Sequence, residues 1–377
     1  MSWITTLALA LLLAGSWGFC VLTVIAVWRY RAVKPAPSGQ SEPVSVLKPL
    51  HGLDEGLEEN LRSFFEQDYP AFELLFASRG QEDPALALVV RIRRDYPAAP
   101  VRLFVTGEPP YPNAKVWSLE IMMREASHDL LVMSDSDIRV TSSMLRTIAA
   151  EFAGGKTAVA TCPYRAVPGK SVWSTLEAIG MNTEFWGGAF AARLVEGGVR
   201  FAVGPTIAAR KKVLEALGGW PRFAGYLAED FVLGQFAAQA GYGVILSSYV
   251  VEHRIGTQGF AANISHRLRW NRSTRRSRPV GYIGQIFTYP IPLAFALIAA
   301  APEWWPVLIP TALLRAVAAH AVSGAALNDS LCRRLWWAIP LQDALSFLLW
   351  LAGFFGNTIV WRGLRYRLLK DGRFERA

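Results

Sequence analysis

Asp135 and Asp137, in Asp135-Ser136-Asp137, stand one residue apart just after the apolar run Leu130-Leu131-Val132-Met133. Such a run reads as a buried strand, and open α/β sheets bind ligands outside the carboxyl ends of their strands. Two carboxylates at that edge suit Mg²⁺ or Mn²⁺ held between protein and phosphates. The chemistry implied is transfer from an activated phosphate compound. Asp and Ser are also ordinary turn residues, so the triplet by itself leaves a solvated acidic turn open.

Transfer from a nucleoside diphosphate also needs a nucleoside pocket, a base for the acceptor hydroxyl and cations for the departing charge. Asp83, in Gln81-Glu82-Asp83-Pro84, can accept hydrogen bonds from uracil or ribose, or cap a helix with Pro84 in its first turn. Asp230, in Ala228-Glu229-Asp230, can take a hydroxyl proton late in attack. Its plainer reading is an acid at a helix N-terminus, and Glu229 is the rival base. In His266-Arg267-Leu268-Arg269-Trp270, Arg269 can pair with diphosphate oxygens and Trp270 can wall the acceptor, although any basic juxtamembrane helix looks similar.

These residues need a sheet to converge on. Apolar runs at 44–47, 72–77, 101–105, 130–133 and 158–160 alternate with helix-like stretches near 57–67, 84–95, 115–126 and 142–153. The alternation predicts an α/β domain with a mainly parallel sheet and helices on both faces. Ser142 or Thr141 is the expected cap of the helix after the triplet. Further helices are expected near 171–190, from Lys211 to Gly218-Gly219 and at 228–240, followed by one strand over 244–251.

At 377 residues and 52% hydrophobic content, part of the chain belongs in lipid. The stretch from Trp3 to Trp28 carries no charge and is followed by Arg29, Arg31 and Lys34. It reads as an uncleaved anchor with a cytoplasmic C-terminal end. Residues 32–43 form a Pro/Ser-rich linker. Apolar stretches at about 283–301, 303–324 and 336–356 follow a basic cluster of Arg267, Arg269, Arg272, Arg275, Arg276 and Arg278. If all three crossed, the basic tail would lie outside, so one is expected to re-enter or lie in the interface, the proline-bearing first being the candidate. Arg315, His320 and Asp343 are ionisable groups in or near these stretches, with packing partners or an acceptor site as their two readings. The net charge of +9 sits largely beside membrane segments and points to lipid headgroups, and no nucleic-acid motif is present. Cys20, Cys162 and Cys332 are too scattered for a disulfide framework or a zinc site.

The order and spacing of Asp83, Asp135, Asp230 and the Arg269-Trp270 pair resemble the D, D, D, (Q/R)xxRW pattern of membrane-bound inverting glycosyltransferases. Val46-Leu47-Lys48-Pro49-Leu50-His51-Gly52, Phe64-Phe65-Glu66-Gln67-Asp68-Tyr69-Pro70, Asp135-Ser136-Asp137-Ile138-Arg139-Val140 and Trp361-Arg362 with Tyr366-Arg367-Leu368 resemble ceramide glucosyltransferases and their bacterial relatives, over residues 43–280 and the tail. The resemblance implies a glycosyltransferase A-type, Rossmann-like cytoplasmic domain at 44–256, between an N-terminal transmembrane anchor at 1–31 and a basic interfacial helix at 257–281. Transmembrane or re-entrant helices at 282–358 and a cytoplasmic tail at 359–377 complete it, in a bacterial inner membrane. It implies a UDP-sugar donor, Mg²⁺ or Mn²⁺ on Asp135 and Asp137, a lipid acceptor and inversion to a β-glycoside. It assigns nucleotide binding to Asp83, the base to Asp230 and donor contacts to His266, Arg269 and Trp270, with His266 standing where the pattern has Gln or Arg. Glucose and ceramide are the implied pair; N-acetylglucosamine on a hopanoid, a processive polysaccharide synthase and a non-catalytic scaffold are the alternatives.

Overall fold

The computed structural model describes residues 3–33, 41–361 and 363–377. Most of the expected linker at 32–43, with Lys34, and Arg362 of the tail lie outside the described residues. The chain divides into two compact units, one of Lys34–Val167, Gly198–Gly256 and Gly372–Ala377 and one of Met1–Val33, Pro168–Gly197 and Thr257–Asp371. The stretch expected as one domain at 44–256 is thus interrupted, and the helix expected near 171–190 belongs with the membrane segments.

The first unit is built on a seven-stranded sheet. Its strands are β1 (Val44–Pro49), β2 (Phe72–Ser78), β3 (Val101–Val105), β4 (Leu130–Ser134), β6 (Thr157–Thr161), β8 (Thr206–Arg210) and β9 (Gly243–Leu246), in the order β3-β2-β1-β4-β8-β6-β9. The first four are parallel, whereas β8 runs antiparallel to both its neighbours. A second, small sheet contains β5 (Ile138–Arg139), β7 (Tyr164–Val167) and β10 (Val251–Arg254). The single strand expected over 244–251 is therefore two strands in two sheets, parted at Ser247-Ser248.

Val46, Leu47, Leu74, Leu75, Leu131 and Val132 are fully buried. Strands covered on both faces read as continuous apolar runs for this reason. The expected helices are present as Leu57–Phe65, Pro84–Arg93, Ala114–Glu125 and Met144–Phe152. The last starts after Ser143 rather than Ser142 or Thr141, with no side-chain cap of its own. Gln67 supplies the missing acceptor, its Oε1 taking the Leu145 N–H at 3.1 Å.

The second unit is helical. Its long apolar helix, Trp3–Arg31, and the segment Pro302–Ala326 are long and apolar enough to cross a membrane. The pair Pro279–Thr288 and Pro290–Ala300 passes the same test only as one span bent by 69°. The third expected stretch forms a helix of 15 residues, Ile339–Gly353, about 22 Å long and shorter than a hydrocarbon core. The short stretch is therefore the last of the three, while the proline-bearing first is broken.

Within this unit Gly15 lets the Phe287 ring approach to where a Cβ would stand 2.5 Å away, the close packing that small residues allow between apolar helices. Arg315 makes a two-pronged ion pair with Asp343, both bonds 2.7 Å, and reaches Thr183 at 3.1 Å. Both members are buried, so packing partners is the reading that the geometry supports; His320 is exposed. The basic cluster does not simply face lipid. Arg272 donates to the carbonyls of Phe355 and Thr358, Arg275 to those of Phe354 and Gly356, and Arg276 to Asn357. These arginines pin the turn before the hairpin Thr358–Trp361 and Leu364–Leu368 to the helix Phe260–Ser277.

Breaking one member of a buried ion pair costs about 3–5 kcal/mol, whereas replacing both with apolar groups costs far less. Asp343→Leu is expected to lower the thermal midpoint in detergent more than the double change Arg315→Met with Asp343→Leu. Equal losses would show that the pairing is not what holds these helices.

Candidate active site

β4 delivers Asp135 and Asp137 to the carboxyl edge of the sheet, as the apolar run before them requires. The turn is fixed from three sides. Asp135 N–H donates to the Pro205 carbonyl at 3.0 Å, Asn60 Nδ2 reaches the Ser136 carbonyl at 3.3 Å, and Arg254 N–H donates to the Asp137 carbonyl at 2.8 Å. From below, the fully buried Lys48 on the neighbouring β1 donates to the Asp135 carbonyl at 2.8 Å and lies 3.6 Å from the centre of the Phe64 ring. Burial pushes the Lys48 ammonium down to about 7, against the pull of Asp135 and Asp137.

Two further carboxylates arrive on the helix Glu229–Gln239. Gly234 makes this possible: a Cβ there would stand 2.2 Å from the Ala202 nitrogen, so the helix packs directly on the backbone before Gly204. Gly204 and Phe231 hydrogen-bond Asp230 through their backbone N–H groups. Lys115 bridges the two acidic segments, its Nζ 2.7 Å from Asp135 Oδ1 and 3.3 Å from Glu229 Oε1. Asn113, two residues earlier, caps the helix of Lys115 by accepting from Val116 N–H and donates to Glu229 Oε2 at 3.1 Å. One small cavity is lined by Lys115, Asp135, Gly204, Trp220, Glu229 and Asp230.

Burial and the neighbouring Glu229 push the Asp230 carboxyl up to about 7, against the pull of Lys115. Burial also raises Asp135, with Lys115 opposing. Burial would raise Asp137 too, but His253 on β10, with Nε2 3.1 Å from Oδ2, together with Lys48 and Lys115 outweighs it and holds the group below the usual range. Acid and base roles at neutral pH need this kind of separation between neighbouring carboxyls.

Asp137 Oδ1 is buried with no hydrogen-bond partner among the described residues. A divalent cation fits that orphaned oxygen. No group of three or more His, Cys, Asp or Glu side chains among the described residues could hold a metal without help. The donor set therefore suits an ion that takes most of its ligands from phosphate and water, as Mg²⁺ does.

Asp83 also lies at the carboxyl edge, after β2, but does not line this cavity. It caps the helix Pro84–Arg93 by accepting from Ala85 N–H at 2.9 Å and accepts from Gly52 N–H at 3.0 Å, tying together the loops after β1 and β2. His266, Arg269 and Trp270 lie on the helix Phe260–Ser277 of the other unit. The sequence pattern does not mark Lys115, Asn113, Lys48 or His253 as site residues. A lysine at the end of a buried apolar strand is nonetheless a visible signal for Lys48; Lys115 looks like any helix-surface lysine.

Removing the Lys115 charge takes away a cation that lowers the proton affinity of Asp230. Lys115→Met is expected to move the acidic limb of the pH–rate profile upward by about one unit, and an unmoved limb would show that Lys115 does not act on Asp230.

The family model described as glycosyl transferase family 21 matches residues 8–374. The chain is 27% identical to ceramide glucosyltransferase 3 of Caenorhabditis elegans over 258 residues, 67% of this chain and 56% of the relative. It is 29% identical to ceramide glucosyltransferase 1 of the same organism over 225 residues, 58% and 47% of the two chains. The chain thus spans about half the length of these curated relatives. Among solved structures, the mannosyltransferase PcManGT from Pyrobaculum calidifontis in complex with GDP-Man and Mn2+ matches with a TM-score of 0.54 at 18% identity, over 92% of this chain and 99% of that one. That likeness shows the fold, which is the glycosyltransferase A type. With a match running through almost its whole length, the chain belongs to glycosyl transferase family 21.

Proposed function

We propose that this protein transfers a sugar, glucose in the first instance, from a UDP-sugar to the hydroxyl of a membrane lipid such as ceramide, with inversion, forming a β-glycolipid. The observation that carries the reading is Asp230: a carboxyl pushed up to about 7, in a cavity it shares with Asp135, Glu229 and Lys115. The names of the C. elegans relatives support the lipid and the sugar; the complex of PcManGT supports a nucleotide-sugar donor and a divalent ion.

In this reading Asp137, through Oδ1, and Asp135 hold Mg²⁺ or Mn²⁺, which when bound neutralises charge on the diphosphate. The chain's own residues do the rest. Asp230 accepts the proton of the attacking hydroxyl, a transfer favoured only late in attack, when that oxygen has become acidic. Lys115 keeps three crowded carboxylates from repelling one another while the diphosphate is bound. The Trp220 indole N–H is buried in the cavity wall with no partner among the described residues and offers a hydrogen bond to a sugar hydroxyl. Asp83 contacts the nucleoside, and Arg269 and Trp270 contact the donor and wall the acceptor.

The membrane segments support a multi-pass protein with the sheet unit in the cytoplasm. With the bent pair counted as one span, the described residues supply three crossings, an arrangement that would put Arg29, Arg31 and the tail arginines Arg365 and Arg367 on the same, cytoplasmic side.

Asp230→Asn keeps the shape and removes the base. It is expected to lower transfer by at least about 100-fold while UDP binding stays within about twofold; transfer near the wild-type rate would dismiss Asp230 as base. In the wild type only the ionised carboxylate can take a proton. The rate of transfer should therefore rise with pH through about 7, and a rate that is flat from pH 5 to 9 would contradict the assignment.

A further inference from the structure

The helix that carries Glu229 and Asp230 starts without a side-chain cap, Ala228 standing at its N-cap position. Where its first turn sits therefore depends on how the loop before it is anchored. Two consecutive carbonyls of that loop are held from outside it. The Tyr226 carbonyl accepts from Asn113 Nδ2 at 3.0 Å, and the Gly225 carbonyl accepts from the Phe374 N–H at 2.9 Å.

Phe374 opens the short strand Phe374–Arg376. Its segment, Gly372–Ala377, returns to the sheet unit after the whole stretch Thr257–Asp371 has been spent in the helical one. The segment holds the loop by more than one bond. Phe374 is buried at 3% exposure, and Arg373 pairs with Tyr226 as an isolated antiparallel bridge. The Arg373 stem lies against Gly225, where a Cβ would stand 3.7 Å from its Cδ, and its guanidinium lies 5.6 Å from the centre of the Tyr226 ring. That ring in turn meets Phe236 edge-on at 6.3 Å, on the same helix as Asp230.

The loop's position reaches the carboxylates through shared donors. Asn113 Nδ2 serves both the Tyr226 carbonyl and Glu229 Oε2, and Lys115 Nζ serves both Glu229 Oε1 and Asp135 Oδ1. Hydrogen bonds weaken steeply as they lengthen and bend, so a loop that drifts disturbs Asn113 on Glu229 and, with it, the spacing of three carboxylates. A displacement of about 1 Å at reacting groups costs up to about 100-fold in rate.

We propose that Arg373 and Phe374 are positioning residues for the transfer: the C-terminal segment clamps the loop at 224–228 and so fixes Glu229 and Asp230 against Asp135. This deepens the proposed function and rests on Asp230 as its base. Neither residue lines the cavity. Each acts through Gly225 and Tyr226, so the effect belongs in kcat and not in donor binding.

The test uses the full chain in lipid nanodiscs with UDP-glucose and ceramide. Phe374→Pro removes the N–H that Gly225 accepts from, and Arg373→Ala removes the stem and the cation over Tyr226. Each is expected to lower kcat about tenfold, with the KM for UDP-glucose within about twofold. Glu375→Ala, at an exposed neighbour on the same strand, should keep the wild-type kcat. Rates are read well below each thermal midpoint, because a segment that only stabilised the fold would lower the midpoint and leave kcat alone. The pair Tyr226→Cys with Arg373→Cys serves if the proline variant does not fold. Antiparallel partners have Cα atoms about 4.5–5.5 Å apart, within reach of a disulfide, and Cys20, Cys162 and Cys332 are all buried. The reduced pair is expected to be about tenfold slower than the wild type, and the oxidised pair, with the clamp restored, within about threefold of it. Wild-type kcat in Phe374→Pro and Arg373→Ala, or a reduced pair as fast as the oxidised one, would overturn the clamp while leaving the lipid reading intact. A wild-type protein that glucosylates neither ceramide nor a total lipid extract would overturn the transfer reading and the clamp together.

Discussion

Everything at the sheet edge depends on how few cations face its carboxylates. Asp135, Asp137, Glu229 and Asp230 are drawn to one edge by β4 and the helix Glu229–Gln239, and buried carboxylates that lack partners take up protons. Lys115 sits between two of them, Lys48 underlies the turn and His253 holds Asp137. The cations are distributed unevenly, and that unevenness separates the carboxyls. Asp137 stays ionised, with one oxygen left over, while Asp230, lacking an ion pair of its own, keeps its proton up to about 7.

The backbone makes this crowding possible. Gly234 and Gly204 have no Cβ where the helix and Asp230 approach, so the acid comes closer to the sheet than a larger residue would allow. The small sheet of β5, β7 and β10 braces the Asp137 turn and carries His253. A segment that looks like an accessory to the main sheet therefore joins Lys48 and Lys115 in keeping the metal-ligand candidate ionised.

Much of this could be read from residue order. Strands buried on both faces leave unbroken apolar runs, which is why β1 to β4 and the Asp135-Ser136-Asp137 turn at their edge were legible, and Asp83 before Pro84 announces its cap. The reversal of β8 was not legible, because Thr206-Ile207-Ala208-Ala209-Arg210 carries no mark of direction. The split of 244–251 had a signal in Ser247-Ser248, but periodicity alone cannot say that the two halves join different sheets. Lys115 and the arginines at 272, 275 and 276 were obscured for a common reason: a charged side chain on a helix reads as solvated or lipid-facing until its partner, a distant carboxylate or carbonyl, is known. The pairing of Arg315 with Asp343 across 28 positions is of the same kind.

If the carboxylate-lined cavity consumes a UDP-sugar at the bilayer, its product stays in the membrane. Mass spectrometry of lipids extracted from a glycolipid-free host expressing the chain tests both halves together. The expected result is a new lipid heavier by one hexose, hydrolysed by a β-glucosidase and absent when the Asp230→Asn variant is expressed. A lipid profile unchanged by the wild-type chain, with UDP-sugar present and the protein in the membrane fraction, would contradict it.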